Sequence, residues 1–395
     1  MAKSGKTIQK VDTVVNADSV EWCPYHDNQH ILLCGTYKLQ ESQSSLLEAE
    51  SEPPSPAQVD KDVENVSRDP EVQVRVGGVT VYSLNFEGNT PELRETSSAA
   101  LCGILDIKWL NEEVEDKALF GLVDAEGYFQ LLQLDQESKR PSSITKEQLS
   151  DSSLGLSLGW SPACSGGTSR VAASDSAGCL TVFDVDSKVN TISSWQAHGY
   201  EAWITAFHKT DKNILYSGGD DCRLKRWDLR DTTQPTFTSR RHQMGVCSIQ
   251  SHPFKDYIFA TGSYDEELII WDDRQLKKPL SYAALGGGVW RIKWDPFQGD
   301  FILTATMYNG THIIDCTDLG QTPLPVVAKY DDHNLAYGAD WCRLSENGTQ
   351  RPARTQNDDQ CEDIEKDKAP DDDTYLISTC SFYDHALHLW EWQNS

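Results

Sequence analysis

The apolar positions of this chain fall in short strand-like runs, and one run recurs. It ends on an aromatic residue, often followed by proline. It reads Val20-Glu21-Trp22-Cys23-Pro24, then Ile107-Lys108-Trp109, then Leu158-Gly159-Trp160-Ser161-Pro162. It returns as Thr205-Ala206-Phe207, Ile292-Lys293-Trp294-Asp295-Pro296 and Ala339-Asp340-Trp341. One further copy, Ile249-Gln250-Ser251-His252-Pro253, carries serine where the aromatic belongs, which makes seven. From Trp109 onward the aromatic position advances by 43 to 51 residues. A period of that size marks a repeat architecture built from one supersecondary unit.

Two more β-rich runs follow each copy, joined by a tight polar turn such as Asp124-Ala125-Glu126-Gly127, Asp175-Ser176-Ala177-Gly178 or Tyr264-Asp265-Glu266. Two repeats close on Trp-Asp, at Trp227-Asp228 and Trp271-Asp272. Asp221, Asp265 and Asp384 each lie six residues before a tryptophan. His242, Ser263, Asp265 and Trp271 resemble the hydrogen-bonded His-Ser-Asp-Trp set of WD blades. A buried carboxylate needs donors of that kind. The expected fold is all-β: one seven-bladed WD-repeat β-propeller over residues 1–395. A propeller must close its ring or leave a strand edge exposed. The alternation Val11, Thr13, Val15 predicts that residues 7–15 supply the outer strand of the last blade.

Two stretches interrupt the pattern. Residues 41–71, in blade 1, hold nine acidic and two basic residues, with Pro53, Pro54 and Pro56 among them. Residues 345–374, in blade 7, hold ten acidic and four basic residues. Such composition cannot bury enough apolar surface to offset its ordering entropy, so both are expected to be disordered. A third polar stretch, 136–153, reads as a blade connection.

The net charge of −26 sets aside nucleic acid and anionic membranes as partners. The 11 cysteines include no CxxC pair, and most lie in apolar runs, as expected of free thiols in a reducing compartment. The N-terminus has no apolar signal core. A monomeric cytoplasmic protein is expected, with the nucleus left open.

Familiar catalytic signatures are weak. Gly155-Leu156-Ser157-Leu158-Gly159 matches the hydrolase nucleophile elbow, but it runs straight into a first strand with no helix after it. His385 and His388 are three apart on a strand, which puts them on opposite faces, so no metal site is expected. Gly286-Gly287-Gly288 precedes a strand and not a helix, and no cofactor is expected. The face where first strands begin gathers Trp203, Trp290, Tyr264, Tyr308, Tyr337 and Tyr383 with Asp220, Glu266, Glu267, Asp384 and His385. Aromatics beside carboxylates in a concave mouth suit a quaternary ammonium, and they equally suit protein docking.

Several stretches go beyond a generic repeat. They include Ala17-Asp18-Ser19-Val20-Glu21-Trp22-Cys23-Pro24, Tyr216-Ser217-Gly218-Gly219-Asp220-Asp221, Gly287-Gly288-Val289-Trp290-Arg291-Ile292-Lys293-Trp294, and Cys380-Ser381-Phe382-Tyr383-Asp384-His385-Ala386-Leu387-His388-Leu389-Trp390-Glu391-Trp392. The chain closely resembles the diphthine methyl esterase family, WD-repeat proteins of diphthamide biosynthesis. The resemblance implies hydrolysis of the methyl ester of methylated diphthine, a trimethylammonium-bearing modified histidine on translation elongation factor 2. In that reading Trp203, Trp290, Tyr264, Tyr308, Tyr383 and Glu266 bind the substrate. His385 is the first candidate base, with Asp384 to orient it, and Cys247 and Cys380 are possible nucleophiles. The alternative is a non-catalytic adaptor. Trp227-Asp228-Leu229-Arg230 and Trp271-Asp272-Asp273-Arg274 resemble boxes of cullin-RING ligase substrate receptors, where Arg230 and Arg274 would meet the ligase adaptor.

Overall fold

The computed structural model describes residues 3–40, 74–86, 90–114, 116–150, 152–162, 168–186, 188–344, 348–349 and 374–394. The expected disorder of 41–71, and nearly all of 345–374, lies outside the described residues. Seven sheets, antiparallel but for one short N-terminal pairing, form a ring. Their innermost strands are Ala17–Trp22, Ile104–Trp109, Gly155–Trp160, Ile204–Phe207, Val246–Ser251, Arg291–Trp294 and Ala336–Trp341. Every one ends on the recurring position, so the sequence period is the blade period. No helix among the described residues is long and apolar enough to cross a membrane.

The core is divided between the blades. Seven apolar clusters lie one at each blade-to-blade interface. Trp22, Leu32 and Cys34 of blade 1, for example, pack on Leu376, Leu387 and Leu389 of blade 7. Each fully buried Leu, Ile or Val contributes about 1.5–3 kcal/mol. A blade that buries both sheet faces cannot fold without its neighbours.

The recurring aromatic has a second task. Innermost strands of adjacent blades do not pair with each other, so their edges need other partners. The indole Nε1 of Trp109 donates to the Glu21 carbonyl at 3.3 Å, and that of Trp160 to the Lys108 carbonyl at 3.1 Å. Trp294 donates to Gln250 at 3.3 Å and Trp341 to Lys293 at 2.9 Å. Each bond therefore stitches a blade to the one before it. Where the sequence has Ser251, the hydroxyl does the same, donating to the Phe207 carbonyl at 2.9 Å.

The N-terminal strand closes the ring, with a change of bounds. Lys6–Asp12 pairs antiparallel with Ala386–Gln393, while residues 13–15 leave the sheet at Val14, where φ is +64°. Upstream, Lys3–Ser4 pairs in parallel with blade 6 at Ala328 and Lys329, so this segment ties two blades. Gly5 makes the crossing, where a Cβ would fall 2.4 Å from the Trp390 ring. The stretch 136–153 is not merely a connection: Pro141–Gln148 is the fourth strand of blade 2.

The polar turns are held by aspartate. Asp124 Oδ1 accepts the amides of Glu126 and Tyr128, and Asp175 Oδ1 those of Ala177 and Cys179. In blade 5, His242 Nδ1 meets Asp265 at 3.0 Å and Nε2 meets Thr261 at 2.8 Å, while Trp271 Nε1 donates to Thr261 at 2.8 Å. The hydroxyl of the set is thus Thr261 and not Ser263, whose Oγ donates to the Met244 carbonyl. Two positions separate them, which keeps the face of the strand and moves the hydroxyl one pleat along. His198, Asp221, Ser217 and Trp227 repeat the arrangement in blade 4.

Removing residues 1–16 should unpair the last blade and cost a few kcal/mol, at about 1 kcal/mol per net hydrogen bond. An unchanged melting temperature would show that the ring does not need this strand. Asp265→Ala should orphan His242 Nδ1 and the Gln243 and Glu267 amides. The expected loss is on the order of 1–3 kcal/mol per orphaned group. Glu362→Ala in the acidic insertion should cost less than about 0.5 kcal/mol. Denaturant titration of both variants gives the comparison.

Candidate functional site

All seven innermost strands run from one face of the ring to the other. Counting four residues back from the recurring terminal position selects Asp18, Leu105, Leu156, Trp203, Cys247, Trp290 and Tyr337. Pairing is irregular at five of them, between Ala17 and Ser19, Ile104 and Asp106, Gly155 and Ser157, Val246 and Ser248, and Ala336 and Ala339. A bulge leaves its extra residue outside the ladder and re-aims its side chain. Trp203 and Trp290 stand immediately before their strands. One rung at the mouth of the central channel therefore carries three aromatics and one carboxyl.

The aromatics touch. Trp203 and Trp290 have ring centroids 5.7 Å apart at 64°, and Trp290 stacks on Tyr337 at 4.9 Å and 23°. Tyr264, from the turn after the second strand of blade 5, lies 6.2 Å from Trp203 and 5.8 Å from Trp290. Phe382 extends the cluster from Tyr337 to Tyr37. Trp203 Nε1 donates to Asp220 at 3.1 Å, which fixes the indole at the rim. All four of Trp203, Tyr264, Trp290 and Tyr337 are half-buried, so part of the cluster stays open to solvent.

Below the rung the channel is filled by charge. Arg291 Nη1 meets Asp106 at 3.0 Å, and Asp106 also accepts from Lys108 at 3.1 Å. Lys293 bridges Glu21 and Asp340. Towards the opposite face a cavity of about 750 Å³ opens among these ions and the terminal tryptophans, with Arg343 and Lys209 on its wall. The carboxylates also satisfy the inner strands: Asp106 accepts the Leu158 amide at 3.1 Å and Asp340 the Trp22 amide at 2.7 Å.

Asp18 differs from both. It is 4% exposed and accepts no hydrogen bond among the described residues. Burial pushes its carboxyl up to about 8, against the pull of Arg291 and with Asp106 adding to the rise. Burial also raises the phenols of Tyr37, Tyr264 and Tyr337, and Asp18 adds to the rise in each. Buried carboxyls without partners are costly, and groups so perturbed concentrate at functional sites.

The residues nominated from sequence divide. Trp203, Trp290 and Tyr264 come together, and Tyr383 joins them through Phe382 at 5.4 Å while remaining 56% exposed. Tyr308 is 70% exposed and Glu266 is exposed in its turn, and no ring contact joins Tyr308 to the cluster among the described residues. His385 sits in the blade 7 turn with φ at +51°. Asp384 does not orient it: its Oδ2 accepts from Lys10 at 3.2 Å. Cys247 donates to the Val289 carbonyl at 3.1 Å, and Cys380 Sγ accepts the Gly338 amide at 3.1 Å. Burial pushes both thiols up, which keeps them protonated and unreactive. Ser157 of the hydrolase-like motif is buried, bonded to Ser174 and to the Thr205 amide. His388 Nδ1 pairs with the Tyr330 hydroxyl at 2.9 Å across the interface between blades 6 and 7. No metal-ligand cluster occurs among the described residues. Arg230 and Arg274 close their guanidinium forks on Asp228 and Asp272 of their own boxes. Asp18 was missed because it was read only as part of a motif. Aligning the seven repeats on their terminal position places it beside Trp203, Trp290 and Tyr337.

Comparison with known proteins locates the chain among relatives. The WD domain, G-beta repeat family model matches residues 189–228 and 233–272. The human protein named diphthine methyltransferase is 36% identical, over 98% of this chain and 99% of its own length. The mouse protein of that name is 33% identical over 99% and 94%, and a Dictyostelium discoideum homologue is 33% identical over 95% and 96%. A chain of the mitotic checkpoint complex crystal structure superposes with a TM-score of 0.62 over 98% of this chain and 95% of its own, at 14% identity, a likeness of fold alone.

The raised Asp18 carboxyl has a consequence for stability. Its folded value of about 8 lies above the 3.8 of an ordinary aspartate, so its contribution is fully present below about pH 4 and is lost as pH rises towards 8. Asp18→Asn should remove that loss. The melting temperature of the variant relative to the native protein should climb between pH 4 and 8 and then level off. A difference independent of pH would show that Asp18 is ionised in the fold throughout.

Proposed function

The chain belongs to the diphthine methyltransferase family, and from that premise we propose that it hydrolyses the methyl ester of methylated diphthine on translation elongation factor 2, a step of diphthamide biosynthesis. The observation that carries this reading is the rung of Trp203, Trp290 and Tyr337, with Tyr264 against it, at the mouth of the channel. The negative face of an aromatic ring attracts a cation, and a trimethylammonium group presents one without hydrogen-bond donors. Methylated diphthine carries that group next to its ester.

Ester hydrolysis needs an attacking oxygen, a proton acceptor, and positive charge or donors for the oxyanion. Ionisable groups of both signs line the channel directly under the rung. The acidic surface of the protein, at net charge −26, favours approach of a cationic side chain. The adaptor reading is less well supported, because the two arginines it needs are already bound within their own boxes. His385 stands in the turn of blade 7 without the Asp384 partner that the base role called for.

Trp203→Leu and Trp290→Leu keep much of the apolar bulk and remove the ring. Affinity for elongation factor 2 bearing methylated diphthine should fall about 2- to 30-fold, at about 0.5–2 kcal/mol per aromatic. Affinity for the unmodified factor should change less. Equal weakening towards both forms, measured by titration calorimetry, would mean that these tryptophans dock the protein and do not read the cation.

A further inference from the structure

We propose that Asp18 is the catalytic base of this site, taking the proton from the water that attacks the ester, with Arg291 supplying positive charge to the oxyanion. The assignment rests on the esterase reading above. It follows from the use that the innermost strands make of their carboxyls. Asp106 and Asp340 each accept a backbone amide from the next blade and pair with a lysine or arginine of another blade. Asp18 does neither, although it is as deeply placed. It stands on the same rung as Trp203, Trp290 and Tyr337, in a bulge of the pairing between Ala17 and Ser19.

The chemistry of the ester makes this position decisive. Its ammonium and its carbonyl are carried by one carbon, so rings that seat the cation also fix the carbonyl. Water adds to the carbonyl carbon and gives its proton to the Asp18 carboxylate, while the carbonyl electron pair moves to oxygen beside Arg291. Collapse re-forms the carbonyl and expels the methoxy group, which leaves as methanol with the proton from Asp18. The acid product then loses its own proton. Ester and water become carboxylic acid and methanol, and nothing is oxidised or reduced.

The substrate also prepares the base. The groups facing Asp18 are Arg291, Asp106, Cys34, Cys380 and the phenols of Tyr37, Tyr264 and Tyr337. Arg291 already acts on Asp18 in the free protein while its Nη1 is paired with Asp106 at 3.0 Å. A quaternary ammonium against the rings adds a cation that nothing else balances, and a nearby cation favours the ionised carboxyl. The uncharged acid of the free enzyme becomes a carboxylate when substrate binds.

The test uses the full-length protein and elongation factor 2 carrying methylated diphthine, with methanol release as the readout. Asp18→Asn should lower kcat about 10²- to 10⁴-fold, the range of a lost general base, and leave affinity for the modified factor within about threefold. For the native protein kcat/KM should rise with pH along a limb near 8, and kcat should turn over at lower pH, because the bound cation lowers the value. Asp18→Glu should recover part of the rate and keep a pH limb, which a merely structural role would not give. Turnover within about threefold of native in Asp18→Asn would overturn the assignment and leave the esterase reading standing. So would loss of turnover in His385→Ala with Asp18→Asn active. No methanol from the native protein would overturn the esterase reading, and this assignment with it.

Discussion

The innermost strands of the ring stand side by side without pairing, and most of the structure answers that constraint. An unpaired backbone donor inside a protein needs a partner. Here the partners come from the neighbouring blade. Ser19 accepts the amide of Ile107, Asp106 that of Leu158, Ser157 that of Thr205, Gln250 that of Trp294, and Asp340 that of Trp22. Indole groups of the same later blade add bonds to the earlier blade's carbonyls. Two of the acceptors are carboxylates, and a buried carboxylate calls for a cation. Arg291, Lys108 and Lys293 are therefore in the channel because Asp106, Glu21 and Asp340 are. Chain connectivity, core and channel electrostatics follow from one unmet hydrogen-bonding edge.

Against that background the candidate site is where the rule stops. Asp18 lies in the same ring of side chains and stitches nothing. Burial raises its carboxyl to about 8 despite the nearby Arg291, at a cost to stability that the rest of the ring supports. A carboxyl used only to bind a cation would be better left exposed. One held neutral until a cation arrives can change its protonation state at the moment of binding.

The blade count was legible in the sequence because the terminal residue, aromatic in six of the seven repeats, packs between blades, and a residue bound to a fixed place leaves a period. Ser251 broke the pattern in composition only, since its hydroxyl meets the carbonyl of Phe207. Closure was legible from alternation, but not its end, because Val14 turns away at a positive φ that no alternation encodes. Thr261 was mistaken for Ser263 because either hydroxyl fits the face, and only the His242 ring decides between them. The aromatic mouth was read from residue types. The pairing of Asp384 with His385 was read from adjacency alone, while the commitment of Asp384 to Lys10 depends on a strand 374 residues away. Asp18 becomes visible only when the repeats are superposed.

Hydrolysis by this ring would open the ester at its carbonyl. Its most direct test is turnover of elongation factor 2 carrying methylated diphthine by the purified protein in ¹⁸O-labelled water. Attack at the carbonyl places one labelled oxygen in the carboxylate of the modified histidine and releases unlabelled methanol. Label in the methanol, or passage of the methyl group to another acceptor without methanol, would contradict the account.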